Sequence, residues 1–159
     1  MLSVITKAIV VFSVILVILL GGVRLIGFTP YAVTSGSMEP KYKTGSVVYV
    51  KHIDPEKLDA GDVITFKLMK DELATHRIVT VEKTDEGLQF WTKGDANNIS
   101  DGSPVMAEDV IGKVQFTIPF LGVFAAFLDT MRGKVIIVCG ALIMLVIISL
   151  NDYLAKLKN

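Results

Sequence analysis

Two apolar runs near the ends of this chain constrain its fold more than any other feature. The first extends from Ala8 to Phe28 and is almost entirely Val, Ile, Leu, Phe and Ala as far as Leu20. A helix of about 21 residues is about 31 Å long, which is close to the hydrocarbon thickness of a bilayer. We therefore predict a transmembrane helix over 8–28, with Arg24 extended toward the surface near its end.

A cleaved export signal is the alternative interpretation of this first run, because Lys7 precedes an apolar core. A cleavage site flanked by small residues would be expected soon after that core. No clear site of this kind follows, and the apolar character continues past Arg24. We therefore expect the segment to be retained as an anchor.

The second apolar run covers 135–150, and about 16 helical residues span only about 24 Å. We predict a second transmembrane helix here, with its flanking polar residues reaching the interface. The alternative is a hydrophobic helix buried against the domain. The shorter apolar stretch 118–130 contains Pro119 and Asp129, which favours a segment lying on the membrane surface. Basic residues flank the runs on both sides, so they do not fix the orientation.

Between the two runs, the pattern changes to short stretches rich in β-branched and aromatic residues, separated by Gly and Asp. The predicted strands are 47–50, 63–66, 77–81, 88–92 and 110–116. We therefore predict a mainly β domain over 30–117, built as a β-sandwich or partly closed barrel and flanked by two transmembrane helices.

Composition narrows the function classes. Lys and Arg together number 16, as do Asp and Glu, so no basic excess indicates nucleic-acid binding. The single cysteine, Cys139, lies in the second apolar run, where a thiol resists ionising and has no partner for an internal disulfide. No cluster has metal-ligand spacing and no phosphate-binding loop occurs, so we expect no cofactor.

A serine turn follows the first apolar run, in the sequence Ser-Gly-Ser-Met-Glu-Pro at residues 35–40. Glycine permits close approach of the backbone to another chain, and Pro40 restricts the local conformation. A small-residue serine turn beside a membrane segment suggests a nucleophile held near the lipid surface. An ordinary surface turn is the alternative interpretation.

A serine nucleophile needs a neighbouring base. His76 is predicted to open a strand and lies between Thr75 and Arg77, so alternation points it to the face opposite both. Histidine serves as base and then as acid near neutral pH. His52 lies in a polar turn and is expected on the surface, and a lysine base would require burial that the polar stretch around Lys67 and Lys70 does not offer.

A carboxylate that orients the histidine would complete the catalytic set. Asp95 and Asp101 are the candidates, and both lie in one loop rich in Gly and Asn. Aspartates in such loops commonly bond their own backbone and form turns. The residues alone do not choose between the two.

Four segments occur in the order of the motif boxes of type I signal peptidases. They are Ser35–Pro40, Gly61–Ile64, His76–Val79 and Lys93–Asp101. The chain resembles this family over about residues 30–117. Histidine at position 76, where many bacterial members carry lysine, resembles the branch that includes the endoplasmic-reticulum catalytic subunit, archaeal enzymes and some Gram-positive sporulation enzymes.

The resemblance implies a role for each of the candidate residues. Ser37 would be the nucleophile, His76 the general base and Asp101 the orienting acid, with Asp95 in a supporting role. The backbone N–H of Ser37 and the hydroxyl of Ser35 would form the oxyanion hole. Met38 and neighbouring apolar residues would line the substrate pockets.

The resemblance also implies the substrates, the location and the partners of the protein. The substrates would be pre-proteins whose signal peptides end in small residues, and the product an exported protein. The enzyme would be a multi-pass protein of the lipid bilayer, in a cytoplasmic or endoplasmic-reticulum-type membrane, with an extracytoplasmic catalytic domain and possible accessory membrane subunits. The alternatives are a membrane-anchored, non-catalytic binding or accessory subunit, and a self-cleaving regulator of the same fold. The predicted spans disfavour the regulator.

Overall fold

The computed structural model describes residues 2–69, 72–85, 87–133, 135–136, 139–140, 143 and 146–150. The chain divides into two compact units. One comprises Ile18–Gly122 and carries every predicted site residue. The other comprises the two chain ends, 1–17 and 123–159.

Within the described residues, seven strands form a single antiparallel sheet in the order β1-β2-β7-β3-β4-β5-β6. They are β1 (Phe28–Ala32), β2 (Val47–Lys51), β3 (Val63–Met69), β4 (Glu72–Thr84), β5 (Gly87–Lys93), β6 (Val105–Met106) and β7 (Val110–Ile118). The mainly β prediction is confirmed. The described strands form one curled sheet, a half-barrel, and not a sandwich of two sheets.

Helix α1 (Leu2–Leu20) precedes the strands in the chain, and helix α2 (Leu121–Asp129) follows them. Three short 3-10 helices cover Gly22–Ile26, Pro55–Lys57 and Ala107–Asp109. The α2 helix lies in the stretch 118–130 that the sequence predicts to be interfacial.

Apolar side chains cover both faces of the sheet because successive strand residues point to opposite sides. On β2, Val48 and Val50 pack in one cluster with Met38. Val47 and Tyr49 pack in a second cluster with Val23 and Leu121. Tyr49 is fully buried, and its hydroxyl donates to the carbonyl of Leu19 at 2.9 Å. A third cluster is formed by side chains of β3, β4 and β5, among them Ile64, Ile78 and Phe90. These clusters fix the strands that carry the site.

The five predicted strands are confirmed, with β4 much longer than 77–81, so His76 lies within the strand and not at its start. Two further strands, β1 and β6, were not predicted. β1 contains Pro30, which argues against a central strand, but β1 pairs only with β2 at the sheet edge, where a missing N–H is tolerated. β6 has only two residues and gives no periodic signal.

The prediction of a continuous helix over 8–28 is wrong after Leu20. The α1 helix ends at Leu20, and a 3-10 helix follows the Gly21-Gly22 pair. Gly27 has φ +84, and the strand β1 begins at the next residue. Glycine weakens a helix because its backbone loses the most freedom on ordering, and local hydropathy does not report that effect.

Among the residues described, no helix combines the length and the apolarity that a membrane crossing requires. The two predicted spans are therefore not supported by the structure. For the span predicted at 135–150, residues 135–136, 139–140, 143 and 146–150 are helical. The rest of that prediction, and the basic residues after it, lie outside the described residues.

Candidate active site

Ser37 lies in the loop between β1 and β2. The amide of Glu39 donates to Gly36 at 3.0 Å, and a carboxylate oxygen of Glu39 accepts from the backbone and hydroxyl of Thr44, both at 3.2 Å. The next residue after the serine, Met38, is only 2% exposed and packs in the core. The turn is therefore fixed to the domain on one side and leaves the Ser37 hydroxyl accessible on the other.

His76 lies within β4, directly opposite Ile64 on β3. Its Nε2 is 3.2 Å from the Ser37 hydroxyl. The ring of the buried Phe66 meets the imidazole edge to face, with the two ring centres 6.2 Å apart. The histidine is thus held in a strand, with an apolar ring against it and the serine within hydrogen-bonding distance.

Asp101 lies after β5, and its Oδ2 is 2.6 Å from His76 Nδ1. An ionised carboxylate can only accept a hydrogen bond, so this contact assigns the proton to Nδ1. Nε2 then presents its lone pair to the hydroxyl of Ser37. A serine, a base and a carboxylate joined in this order have the geometry of an activated nucleophile.

The loop that follows β5, residues 94–101, supports both ends of this chain of hydrogen bonds. The amide of Ala96 donates to the carbonyl of Ser37 at 2.8 Å, and the amide of Asp101 donates to the carbonyl of Thr92 at 2.8 Å. A Cβ at Gly94 would lie 2.6 Å from the Ser37 carbonyl oxygen. The close approach of loop and serine turn therefore requires glycine at this position.

Asp95 has a different partner from Asp101. Both of its carboxylate oxygens accept from the Arg77 guanidinium, at 2.7 and 2.6 Å, and Arg77 also donates to the carbonyl of Gly61 at 2.7 Å. The hydrogen bonds from Arg77 are the main reason that the pKa of Asp95 lies below its usual value. Asp95 thus ties the loop to β4 and does not contact His76 through a hydrogen bond.

A cleft of about 110 Å³ opens beside the serine and the histidine. Met38 and Tyr42 line it from the serine loop, and Leu73, Ala74 and Thr75 line it from β4. The hydroxyl of Ser35 also lines it and lies 3.2 Å from the Ser37 hydroxyl. The predicted oxyanion donor and the predicted pocket residue therefore both lie at the cleft.

The structure brings together Ser35, Ser37, Met38, His76 and Asp101. His52 is exposed and lies against the carbonyl of Ile111 at 3.2 Å, so it is not part of this site. Sequence reasoning missed Thr92 and Phe66, both of which contact members of the site. Threonine and phenylalanine are ordinary strand residues, and no local signal distinguishes these two.

A model of the family described as "Signal peptidase, peptidase S26" matches residues 6–95, which is more than half of the chain. The chain belongs to this family. The resemblance predicted from the motifs is confirmed.

The chain is also similar in sequence to individual members of the signal peptidase family. The chain is 40% identical to signal peptidase I W of Bacillus subtilis over 119 residues, covering 69% of this chain and 62% of that protein. It is 27% identical to the signal peptidase complex catalytic subunit SEC11C of Homo sapiens over 125 residues, covering 71% of this chain and 65% of that protein. The matched part thus spans a little under two thirds of each relative.

The approach of Gly94 to the serine turn generates the first prediction. In Gly94→Ala, the added methyl group meets the Ser37 carbonyl, so the loop must shift. We expect the free energy of unfolding to fall by about 1–3 kcal/mol, as for other overpacked sites. Urea unfolding of the full chain, followed by fluorescence of the single tryptophan, Trp91, measures this loss.

Gly102→Ala is the matched control, since no atom lies within 4 Å of a Cβ built there. Its free energy of unfolding should stay within about 0.5 kcal/mol of the wild-type value. Equal stability of the two variants would contradict the steric explanation.

The Arg77–Asp95 pair generates a prediction about pH. A pKa that is lower in the folded than in the unfolded state stabilises the fold above the unfolded value, near 3.9, and this stability is lost as the pH falls through the folded value. We expect Asp95→Asn to lose about 1–3 kcal/mol at pH 7. The difference from the wild type should shrink below about pH 4.

Urea unfolding at several pH values measures this difference. Asp59→Asn is the control, because Asp59 is exposed and forms no ion pair within the described part of the chain. Its cost at pH 7 should stay within about 0.5 kcal/mol. A constant gap between Asp95→Asn and the wild type from pH 7 to pH 3 would contradict the ion-pair explanation.

Proposed function

We propose that this protein is a membrane-bound serine endopeptidase that removes N-terminal signal peptides from exported pre-proteins, cutting after small residues. The observation that carries the proposal is the unbroken chain of hydrogen bonds from Ser37 through His76 to Asp101, beside a cleft, in a chain of the signal peptidase family. A hydroxyl without such partners would be a poor nucleophile.

In the proposed reaction, the Ser37 hydroxyl attacks the scissile carbonyl while His76 Nε2 takes its proton. The imidazolium then gives that proton to the leaving amine, and the acyl-enzyme retains the signal peptide. Water attacks the ester in the second half of the reaction, again with His76 as base and then acid. Asp101 accepts from Nδ1 throughout, which orients the ring and stabilises its charged form.

The negative oxygen formed by the attack needs two hydrogen-bond donors. We assign these to the backbone N–H of Ser37 and the hydroxyl of Ser35. The side chains of Ser35 and Ser37 lie on one side of the turn, with their hydroxyls 3.2 Å apart. The Ser35 hydroxyl can rotate from this contact toward an oxygen bound in the cleft.

Substrate choice follows from the size of the cleft. Met38, Tyr42 and Ala74 stand in its walls, and we propose that they restrict entry to small side chains. We propose that the signal peptide binds in extended form between the serine loop and β4, with alternate side chains entering the cleft.

We further propose that the chain ends attach the enzyme to a membrane in a multi-pass arrangement, with the catalytic domain extracytoplasmic. Large apolar side chains along α1 are exposed, among them Val10, Phe12, Val14 and Val17. Exposed apolar surface of this extent is typical of contact with lipid or with another protein. The human relative is named as the catalytic subunit of a signal peptidase complex. Because this chain is similar to it, we propose accessory membrane subunits as partners.

The direct test is cleavage of a signal-bearing precursor by the full chain in detergent. Ser37→Ala and His76→Ala should each lower the rate by at least about a thousandfold, because the members of such a site act as a unit. His52→Ala is the matched control and should cleave at the wild-type rate. Folding is checked by Trp91 fluorescence.

The outcomes separate the proposed function from the alternatives. A wild-type chain that binds precursor but does not cleave it would favour a non-catalytic accessory subunit. Cleavage by Ser37→Ala above about a thousandth of the wild-type rate would refute the assignment of the nucleophile.

Ser35 generates a separate prediction. Removing one oxyanion donor typically costs about 10²–10³ in turnover, so Ser35→Ala should lower kcat by that order with little change in KM. Ser35→Thr keeps a hydroxyl and should retain more activity. Ser103→Ala, an exposed serine outside the cleft, is the control. Precursor cleavage by Ser35→Ala within about threefold of wild type would place the donor elsewhere.

A further inference from the structure

Thr92 contacts the same carboxylate oxygen that accepts from the histidine. Its hydroxyl donates to Asp101 Oδ2 at 2.6 Å, and that oxygen is also 2.6 Å from His76 Nδ1. We propose that Thr92 is a positioning residue of the reaction, which holds the Asp101 carboxylate in the orientation that His76 requires. This inference rests on the proposed function.

The location of Thr92 makes it a rigid support. It lies on β5, paired with Ile78 on β4, and its side chain is fully buried. A β-branched side chain in a strand has few accessible rotamers, so the hydroxyl has a fixed position. Its carbonyl also accepts from the Asp101 amide at 2.8 Å. Thr92 thus holds both the backbone and the side chain of Asp101.

The chemistry explains why this support matters. A carboxylate has two oxygens and can rotate about the bond to its Cβ, so a single hydrogen bond to His76 leaves its orientation poorly fixed. A second donor on Oδ2 restricts that rotation and keeps the oxygen in line with Nδ1. The carboxylate then needs no reorganisation when the imidazolium forms during attack.

The two aspartates of the loop after β5 have different hydrogen-bond partners. The neighbouring carboxylate, Asp95, is held by Arg77 through two charged hydrogen bonds. Asp101 instead receives a neutral hydroxyl, which orients it without placing a second positive charge beside the histidine. A guanidinium in place of the hydroxyl would compete with the imidazolium for the same negative charge.

Valine at position 92 keeps the shape of the side chain and removes the donor. We expect Thr92→Val to lower kcat for a signal-bearing precursor about 10- to 100-fold, with KM within about twofold of wild type. Thr92→Ser restores the hydroxyl and should remain within about threefold. Thr117→Val is the matched control, because its hydroxyl bonds the Val47 carbonyl on the same sheet away from the cleft.

A double-mutant cycle separates positioning from a purely structural role. In the Asp101→Asn background, Thr92→Val should lower kcat less than twofold further, because Thr92 acts through the carboxylate. A merely structural role would lower kcat by the same factor in both backgrounds. If Thr92→Val does not fold, Thr92→Ala, which also lacks the hydroxyl donor, replaces it in the cycle.

The cleavage experiments distinguish failure of the proposed function from failure of this inference. A wild-type chain that does not cleave the precursor would overturn the proposed function itself. With an active wild type, the inference is overturned if Thr92→Val or its replacement keeps kcat within threefold, if Thr92→Ser loses as much as the valine variant, or if the losses in the two backgrounds are equal.

Discussion

The hydrogen bond between His76 and Asp101 is the interaction on which the site depends. The Asp101 carboxylate accepts a hydrogen bond from His76 Nδ1–H, so Nε2 presents its lone pair to the Ser37 hydroxyl, as the proposed reaction requires. A histidine in the other tautomer would present an N–H to the serine and could not act as its base. The direction of every proton transfer in the proposed reaction follows from this single contact.

That contact is stable because a rigid sheet and one short loop hold its members. His76 is a strand residue with Phe66 against its ring, and Asp101 is fixed by hydrogen bonds to the backbone and hydroxyl of Thr92. The same loop contacts the serine turn, where a glycine allows the backbones to meet. Elements that are distant in sequence therefore support the proposed site together.

Much of this was predictable from local patterns. Stretches rich in β-branched and aromatic residues identified five strands, and the distribution of polar residues separated His76, in a strand, from His52, in a turn. The serine turn was recognisable because Ser, Gly and Pro restrict or release the backbone in known ways. The family resemblance implied Asp101 as the acid, a role for which residue type alone left Asp95 equally suitable.

The sequence by itself determined the residue types, their order and the alternation that gives each strand two faces, because these properties depend on neighbours within a few positions. Only the tertiary structure decided which aspartate meets His76, that Arg77 takes the other, and that the buried hydroxyl of Thr92 reaches Asp101. It also decided where α1 ends and that the next apolar stretch becomes an edge strand. These choices depend on hydrogen bonds and packing between segments far apart in the chain, which hydropathy and spacing do not encode.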